Sequence, residues 1–159
     1  MKGDSKVKEK IRKAGAVWEG NLQDGQGAIS TESRIVYEQP YNYRMRFEDE
    51  SGTNPEELIA AAHAACFCMA LAGTLKRKDY KPVKLEANTS CYLDAKEEGG
   101  YGITRMDLHI RGEVPNMDED DFKQICHEAD QGCPVSNLLR CGLEIKIYSE
   151  LVKSFSPAD

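Results

Sequence analysis

Residues 53–78, TNPEELIAAAHAACFCMALAGTLKRK, constrain the fold more than any other stretch of the chain. Thr53 or Asn54 can cap a helix, Pro55 suits its first position, and Glu56 and Glu57 suit its positive end. The closing KRK suits the negative end. Seven of the thirteen residues from 60 to 72 are Ala. Alanine favours helix but fills little volume. Such a helix can lie on a sheet with one face and let a second helix come close to another.

The remaining elements are shorter and more polar. Ala16–Glu19 and Ala28–Thr31 read as strands joined by the turn NLQDGQG, and a third strand is expected through Tyr43 to Phe47. After Pro82 come two long strands, about Val83–Leu93 and Tyr101–Val114, joined at Glu98-Gly99-Gly100. Met117–Gln131 reads as a helix opened by an acidic run and stopped at Gly132. Cys133-Pro134 begins a short helix, VSNLLR, and Gly142–Tyr148 alternates as a final strand. The order β-β-β-α-β-β-α-α-β predicts an α+β fold with a mostly antiparallel sheet around the long helix. We expect a flexible basic arm over residues 1–13 and one domain over 14–153.

The 159 residues carry a net charge of −6, with 40% hydrophobic and 30% charged residues. That balance suits a globular protein and argues against nucleic acid as a partner. No apolar run is expected to reach the ~20 residues of a membrane helix. The basic N-terminus lacks the apolar stretch of a signal peptide, so a cytoplasmic, reducing setting is expected. There, the cysteines Cys66, Cys68, Cys91, Cys126, Cys133 and Cys141 are read as buried small hydrophobes, metal ligands or redox catalysts.

Cys66 sits mid-helix among Ala, Phe67 and Met69, where burial raises a thiol's pKa. Its activation needs a cation from another segment, and Arg44 or Arg46, expected on the preceding strand, are the nearest in sequence. Cys133 stands at a helix N-terminus, where free backbone N–H groups stabilise a thiolate. Local physics therefore leaves open which sulfur attacks. His127 beside Cys126 lacks the spacing of a zinc site, and no CxxC follows a strand as in thioredoxin-type oxidoreductases. His63 is read as a core or interface residue, with a base as the alternative. Cys91 and Cys141 are read as core, His109 as a strand surface residue, Trp18 as core or interface, and Asp118–Asp121 as a helix-start face.

The run RFEDESGTNPEELIAAAHAACFCMALA at 46–72, together with VWEG, QPY at 39–41 and GCPVS at 132–136, resembles the osmotically inducible protein OsmC subgroup of the OsmC/Ohr family. The resemblance extends from about Ala16 to about Tyr148. It implies an intertwined homodimer with a two-cysteine site between subunits, and a thiol-dependent peroxidase that reduces organic hydroperoxides. In that mapping Cys66 attacks the peroxide and Cys133 resolves the sulfenate as a disulfide. Arg46 is the catalytic arginine and Glu56 its partner. The resemblance implies no metal, haem or flavin, and an external thiol or dithiol reductant such as a lipoyl group. Cys68 departs from the pattern, since Ser stands there in many relatives. The competing reading is a non-catalytic dimeric stress protein that binds apolar ligands in the same cleft.

Helix geometry refines the role of Glu56. Ten residues put it ~15 Å from Cys66 along the axis and ~80° around it, whereas Glu57 lies ~180° away. An antiparallel pairing of two such helices about Ala61 would bring Glu56 of one chain level with Cys66 of the other, with Ala60, Ala61, Ala64 and Ala65 allowing close approach. The apolar neighbours Phe67, Met69 and Leu71 suggest a substrate with a hydrocarbon group.

Overall fold

The computed structural model describes residues 9–142 and 144–153, so most of the expected arm, residues 1–8, lies outside the described residues. Residues 9–13 are exposed and precede the first strand. The chain divides between Asn54 and Pro55 into two compact units.

In the first unit, strands β1 (Ala14–Glu19), β2 (Gln26–Thr31) and β3 (Gln39–Asn42) form an antiparallel sheet in chain order. The β1–β2 turn is an Asn-centred loop, in which Asn21 Oδ1 accepts from the amides of Gln23 and Asp24, each at 2.9 Å. Trp18 is partly exposed and tilts against Tyr41, with centroids 5.3 Å apart.

The expected strand Tyr43–Phe47 is instead one turn of helix, α1. Asn42 causes the change. Its side chain accepts from the Met45 amide at 2.8 Å and caps the turn, as short polar side chains do at helix starts. The helical spacing then sets Tyr43 against Phe47 with centroids 4.8 Å apart and rings tilted, so the aromatic pair that reads as a strand signal serves a helix instead. Arg44 and Arg46 therefore ride on a helical turn rather than a strand.

The second unit opens with the long helix, α2 (Pro55–Arg77), followed by β4 (Lys84–Ala95), β5 (Tyr101–Glu113), α3 (Glu119–Gly132), α4 (Pro134–Leu139) and β6 (Glu144–Leu151). The order α+β expected from the sequence is present. Strands β4 and β5 form the expected hairpin, whose turn uses Gly99 and Gly100 at φ 93° and 80°, a region costly to side chains. Strand β6 runs parallel to β5, because α3 and α4 carry the chain back across the sheet first. Asp118 caps α3 by accepting from the Asp121 amide at 2.8 Å, which explains the acidic run at its start.

Residues 106, 108 and 110 of β5 point inward, and α2 and α3 cover them. Phe67, Leu71 and Leu75 meet Met106, Leu108, Ile110, Phe122 and Cys126 in the core. Each such buried side chain stabilises the unit by about 1.5–3 kcal/mol relative to exposure. The opposite face carries Arg105, Asp107, His109 and Arg111, and exposed His109 stacks on Tyr148 at 4.7 Å. By length and composition α2 is apolar enough to cross a membrane, contrary to the expectation from the sequence. Its Phe67–Leu71–Leu75 stripe is spent on the core, and core helices of globular units pass the same test.

Candidate active site

The site is built where α2 meets α4. Cys66 lies mid-way along α2, and Cys133 is the residue that caps α4, with Pro134 at the first helical position. Their sulfurs are 3.3 Å apart, 67 residues distant in sequence. Neither is bonded, and all six cysteines are free thiols. The two differ in access. Cys66 is partly exposed, whereas Cys133 is sealed at 0% exposure.

Three influences act on Cys66. Burial pushes its thiol up, the Val135 backbone amide pulls it down, and the Cys133 side chain pushes it up again, leaving it above the ordinary range. The amide belongs to the first turn of α4, where N–H groups lack intrahelical partners. The open end of α4 was expected to serve the sulfur of Cys133; its Val135 amide acts instead on the sulfur across the gap. Nothing in that set is a cation, so ionising Cys66 near neutral pH calls for a positive charge from elsewhere.

A second contact joins the same two helices. His63 Nε2 and Ser136 Oγ lie 2.8 Å apart, both fully buried. His63 is held neutral: burial pulls its pKa down, against Asp130, while Arg140 pulls it down further. Its Nδ1 is buried without a hydrogen-bond partner among the described residues. Behind α4, Arg140 pairs with the buried carboxylate of Asp130, and Asn137 Nδ2 donates to Gln131 O at 2.9 Å. The His63–Ser136 and Asp130–Arg140 pairs escaped the sequence reading. One signal was present: His63 precedes Cys66 by three residues, and Ser136 follows Cys133 by three.

The other expected site residues fall as follows. Glu56 is in the first turn of α2, 7% exposed, and its charge reaches Cys91, whose thiol is pushed up by burial and by that carboxylate. Arg46 belongs to the first unit, on α1, with its guanidinium 5.0 Å from the Phe47 ring centroid. Phe67 and Leu71 are completely buried core residues. Met69 is 78% exposed and, with Cys68, Ala72, Pro82, Val83, Lys84 and Leu85, lines a shallow hollow of about 300 Å³ that does not include Cys66. Cys141, read as core, is exposed in the turn before β6. Cys126 is buried at the α3–β6 contact and its thiol is pushed up to about 12 by desolvation, partly offset by Ser149. Among the described residues no group of three His, Cys, Asp or Glu side chains is arranged to hold a metal.

Comparison with known proteins places the chain in a family. The family model described as OsmC-like protein matches residues 48–148. The chain is 42% identical to the protein named Peroxiredoxin OsmC of Escherichia coli (strain K12), over 134 residues that cover 84% of this chain and 93% of that one. It is 33% identical over 97 residues to the Organic hydroperoxide resistance protein of Xanthomonas axonopodis pv. citri, covering 60% of this chain and 66% of the relative. In structure it is similar to the organic hydroperoxide resistance protein OhrB of Bacillus subtilis, with a TM-score of 0.69, 24% identity, and coverage of 87% and 98%. An organic hydroperoxide resistance protein from Elizabethkingia anophelis gives 0.71 at 24% identity, covering 91% and 100%. At that identity the two structures speak to the fold.

Proposed function

This chain belongs to the OsmC-like protein family, and from that membership we propose that it is a thiol-dependent peroxidase acting on organic hydroperoxides in oxidative-stress defence. The names of its relatives, a peroxiredoxin and organic hydroperoxide resistance proteins, support a peroxidase role. The observation that carries the mechanism is the 3.3 Å approach of Cys66 and Cys133 in a chain whose two sulfurs differ in access.

The partly exposed Cys66 is the attacking thiolate. It attacks the distal peroxide oxygen: an S–O bond forms, the O–O bond breaks, and the alkoxide leaves to be protonated as the alcohol. Cys133, sealed from solvent, is the resolving thiol. Its thiolate attacks the sulfur of the Cys66 sulfenic acid, the S–S bond forms and hydroxide leaves to become water. An external dithiol then supplies two electrons. The cycle so written needs no metal, haem or flavin.

Burial raises the Cys66 thiol, and Arg46 is the cation we assign to oppose it, since a guanidinium stays charged when partly desolvated. Glu56 is assigned to hold that guanidinium across a homodimer in which two α2 helices pair antiparallel near Ala61. The exposure of Ala61 and Ala65 on α2 supports that pairing.

The test is hydroperoxide consumption with a dithiol reductant. Cys66→Ser is expected to abolish turnover. Cys133→Ser is expected to retain a stoichiometric first reaction and to lose the intramolecular disulfide. Undiminished consumption by Cys66→Ser would overturn the proposal in favour of a ligand-binding role.

A further inference from the structure

The short helix that carries Cys133 cannot hold its own position. Six residues are far below the length at which a helix is stable alone. Its place is set by what it touches, and those contacts divide by direction. Toward α3, the Cys133 amide donates to Asp130 O at 3.2 Å, Asn137 Nδ2 to Gln131 O at 2.9 Å, and Arg140 pairs with Asp130. Toward α2, the polar links among the described residues fall on two rungs. One joins Cys66 to Cys133 at 3.3 Å, with the Val135 amide beside it. The other joins His63 to Ser136 at 2.8 Å.

The rungs are in register. Stepping three residues back along α2, from Cys66 to His63, matches stepping three forward along α4, from Cys133 to Ser136. Residues three apart lie on one face of a helix, so the two helices run in opposite senses with both rungs on facing surfaces. A disulfide needs sulfurs about 2.05 Å apart, so α4 and α2 must still close the gap after peroxide has reacted. The upper rung changes chemistry during that reaction, because Cys66 gains an oxygen. The lower rung does not, because neither His63 nor Ser136 reacts.

We infer that His63 and Ser136 are positioning residues for the sulfur–sulfur step: their hydrogen bond holds α4 in register on α2 while Cys66 is a sulfenate. The inference rests on the peroxidase reading, and it predicts a division of labour. The first step, S–O bond formation at Cys66, does not need the rung. The second, in which Cys133 displaces hydroxide from Cys66, does. If the second step slows, the sulfenate survives to meet another hydroperoxide molecule and is oxidised to sulfinate, with a second alcohol released.

The test compares wild type with Ser136→Ala, Ser136→Thr and His63→Gln. Sulfenate formation is followed with one equivalent of cumene hydroperoxide and trapped with dimedone. Disulfide formation is followed by loss of free thiol, and sulfinate by mass in a parallel reaction with excess cumene hydroperoxide. Ser136→Ala is expected to form sulfenate at the wild-type rate, to form the disulfide about five- to tenfold more slowly, the loss typical of one buried hydrogen bond, and to accumulate sulfinate at Cys66. Ser136→Thr, which keeps the hydroxyl, and His63→Gln, which keeps a donor near Nε2, are expected to recover most of the disulfide rate. A merely structural defect would slow both steps together and would not be rescued by the hydroxyl.

Wild-type disulfide formation in Ser136→Ala, or no recovery in Ser136→Thr, would overturn the inference. Failure of the peroxidase reading itself has a different signature: wild type would form no sulfenate. The rung is then read without peroxide, from the rate at which a Cys66–glutathione mixed disulfide collapses onto Cys133 in wild type and in Ser136→Ala. Equal rates would again refute it.

Discussion

Joining Cys66 to Cys133 should make the oxidised protein measurably more stable than the reduced one. The bond would close a loop spanning 67 positions in sequence. In the chain-entropy description a loop of that size removes unfolded-state freedom worth about 4 kcal/mol at 25 °C. Part of that gain is lost to the movement needed, since the sulfurs start at 3.3 Å and must reach about 2.05 Å. That distance is short enough for side-chain rotation and a small shift of α4 to cover. At about 2–4 °C per kcal/mol for a chain of this size, the upper limit of the gain is a rise in Tm of about 8–16 °C. Thermal unfolding followed by far-UV circular dichroism, after oxidation with one equivalent of hydroperoxide or with diamide and removal of excess oxidant, measures it. Cys66→Ser and Cys133→Ser, treated alike, should show no rise, which separates this bond from any formed by exposed Cys141. An oxidised wild type that melts within about 2 °C of the reduced form, despite a confirmed Cys66–Cys133 bond, would refute the argument that the native geometry is already disulfide-ready.

Arg140→Met should destabilise the second unit by about 2–4 kcal/mol in urea, because it leaves the nearly buried Asp130 carboxylate without its partner; Asp130→Asn with Arg140→Met together should recover part of the loss. Gly112→Ala should cost about 1–3 kcal/mol by overpacking, since the added carbon would meet Phe122 Cζ at 2.5 Å and Leu85 Cδ2 at 3.1 Å; an unchanged denaturation midpoint would contradict the close approach. Cys126 gives a pH prediction. Its folded pKa, about 12, lies above the ordinary value of 9.0, so its contribution is intact below about pH 9 and declines toward pH 12, by up to about 4 kcal/mol in all. Urea midpoints at pH 8 and 10 should therefore fall further in wild type than in Cys126→Ala.

Much of this could be seen in the chain before its structure. The helix α2 was legible because capping residues, proline, charge and composition all agreed over residues 53–78. The β4–β5 hairpin was legible from its Gly-Gly turn. The misreading at Tyr43–Phe47 arose because aromatic residues favour strands by packing, and one Asn side chain that caps the next turn is enough to start a helix instead. The parallel placement of β6 left no local trace, since register between distant strands is decided by the crossover, not by either strand. The two sulfurs were identifiable by type and resemblance. The rung beside them was not, because a buried His and a Ser carry no chemistry of their own until the fold brings them within 2.8 Å. Phe67 and Leu71 lie in the core, and apolar side chains beside a cysteine look the same in sequence whether they face a pocket or the core.

On the proposed cycle, the unequal access of the two sulfurs also decides how the protein would be reset. With Cys133 enclosed, an incoming reductant can strike only the Cys66 end of the disulfide, leaving itself attached there and Cys133 released as the departing thiol. That released thiol remains a few ångströms away and can expel the newcomer at once, restoring the starting bond. A donor with a single sulfur is therefore trapped in a futile exchange. A donor with two has a second sulfur of its own, tethered at high effective concentration, that can win the race by closing on its first. Preference for paired-thiol reductants would thus come from the burial of one cysteine, without any dedicated docking surface for the reductant.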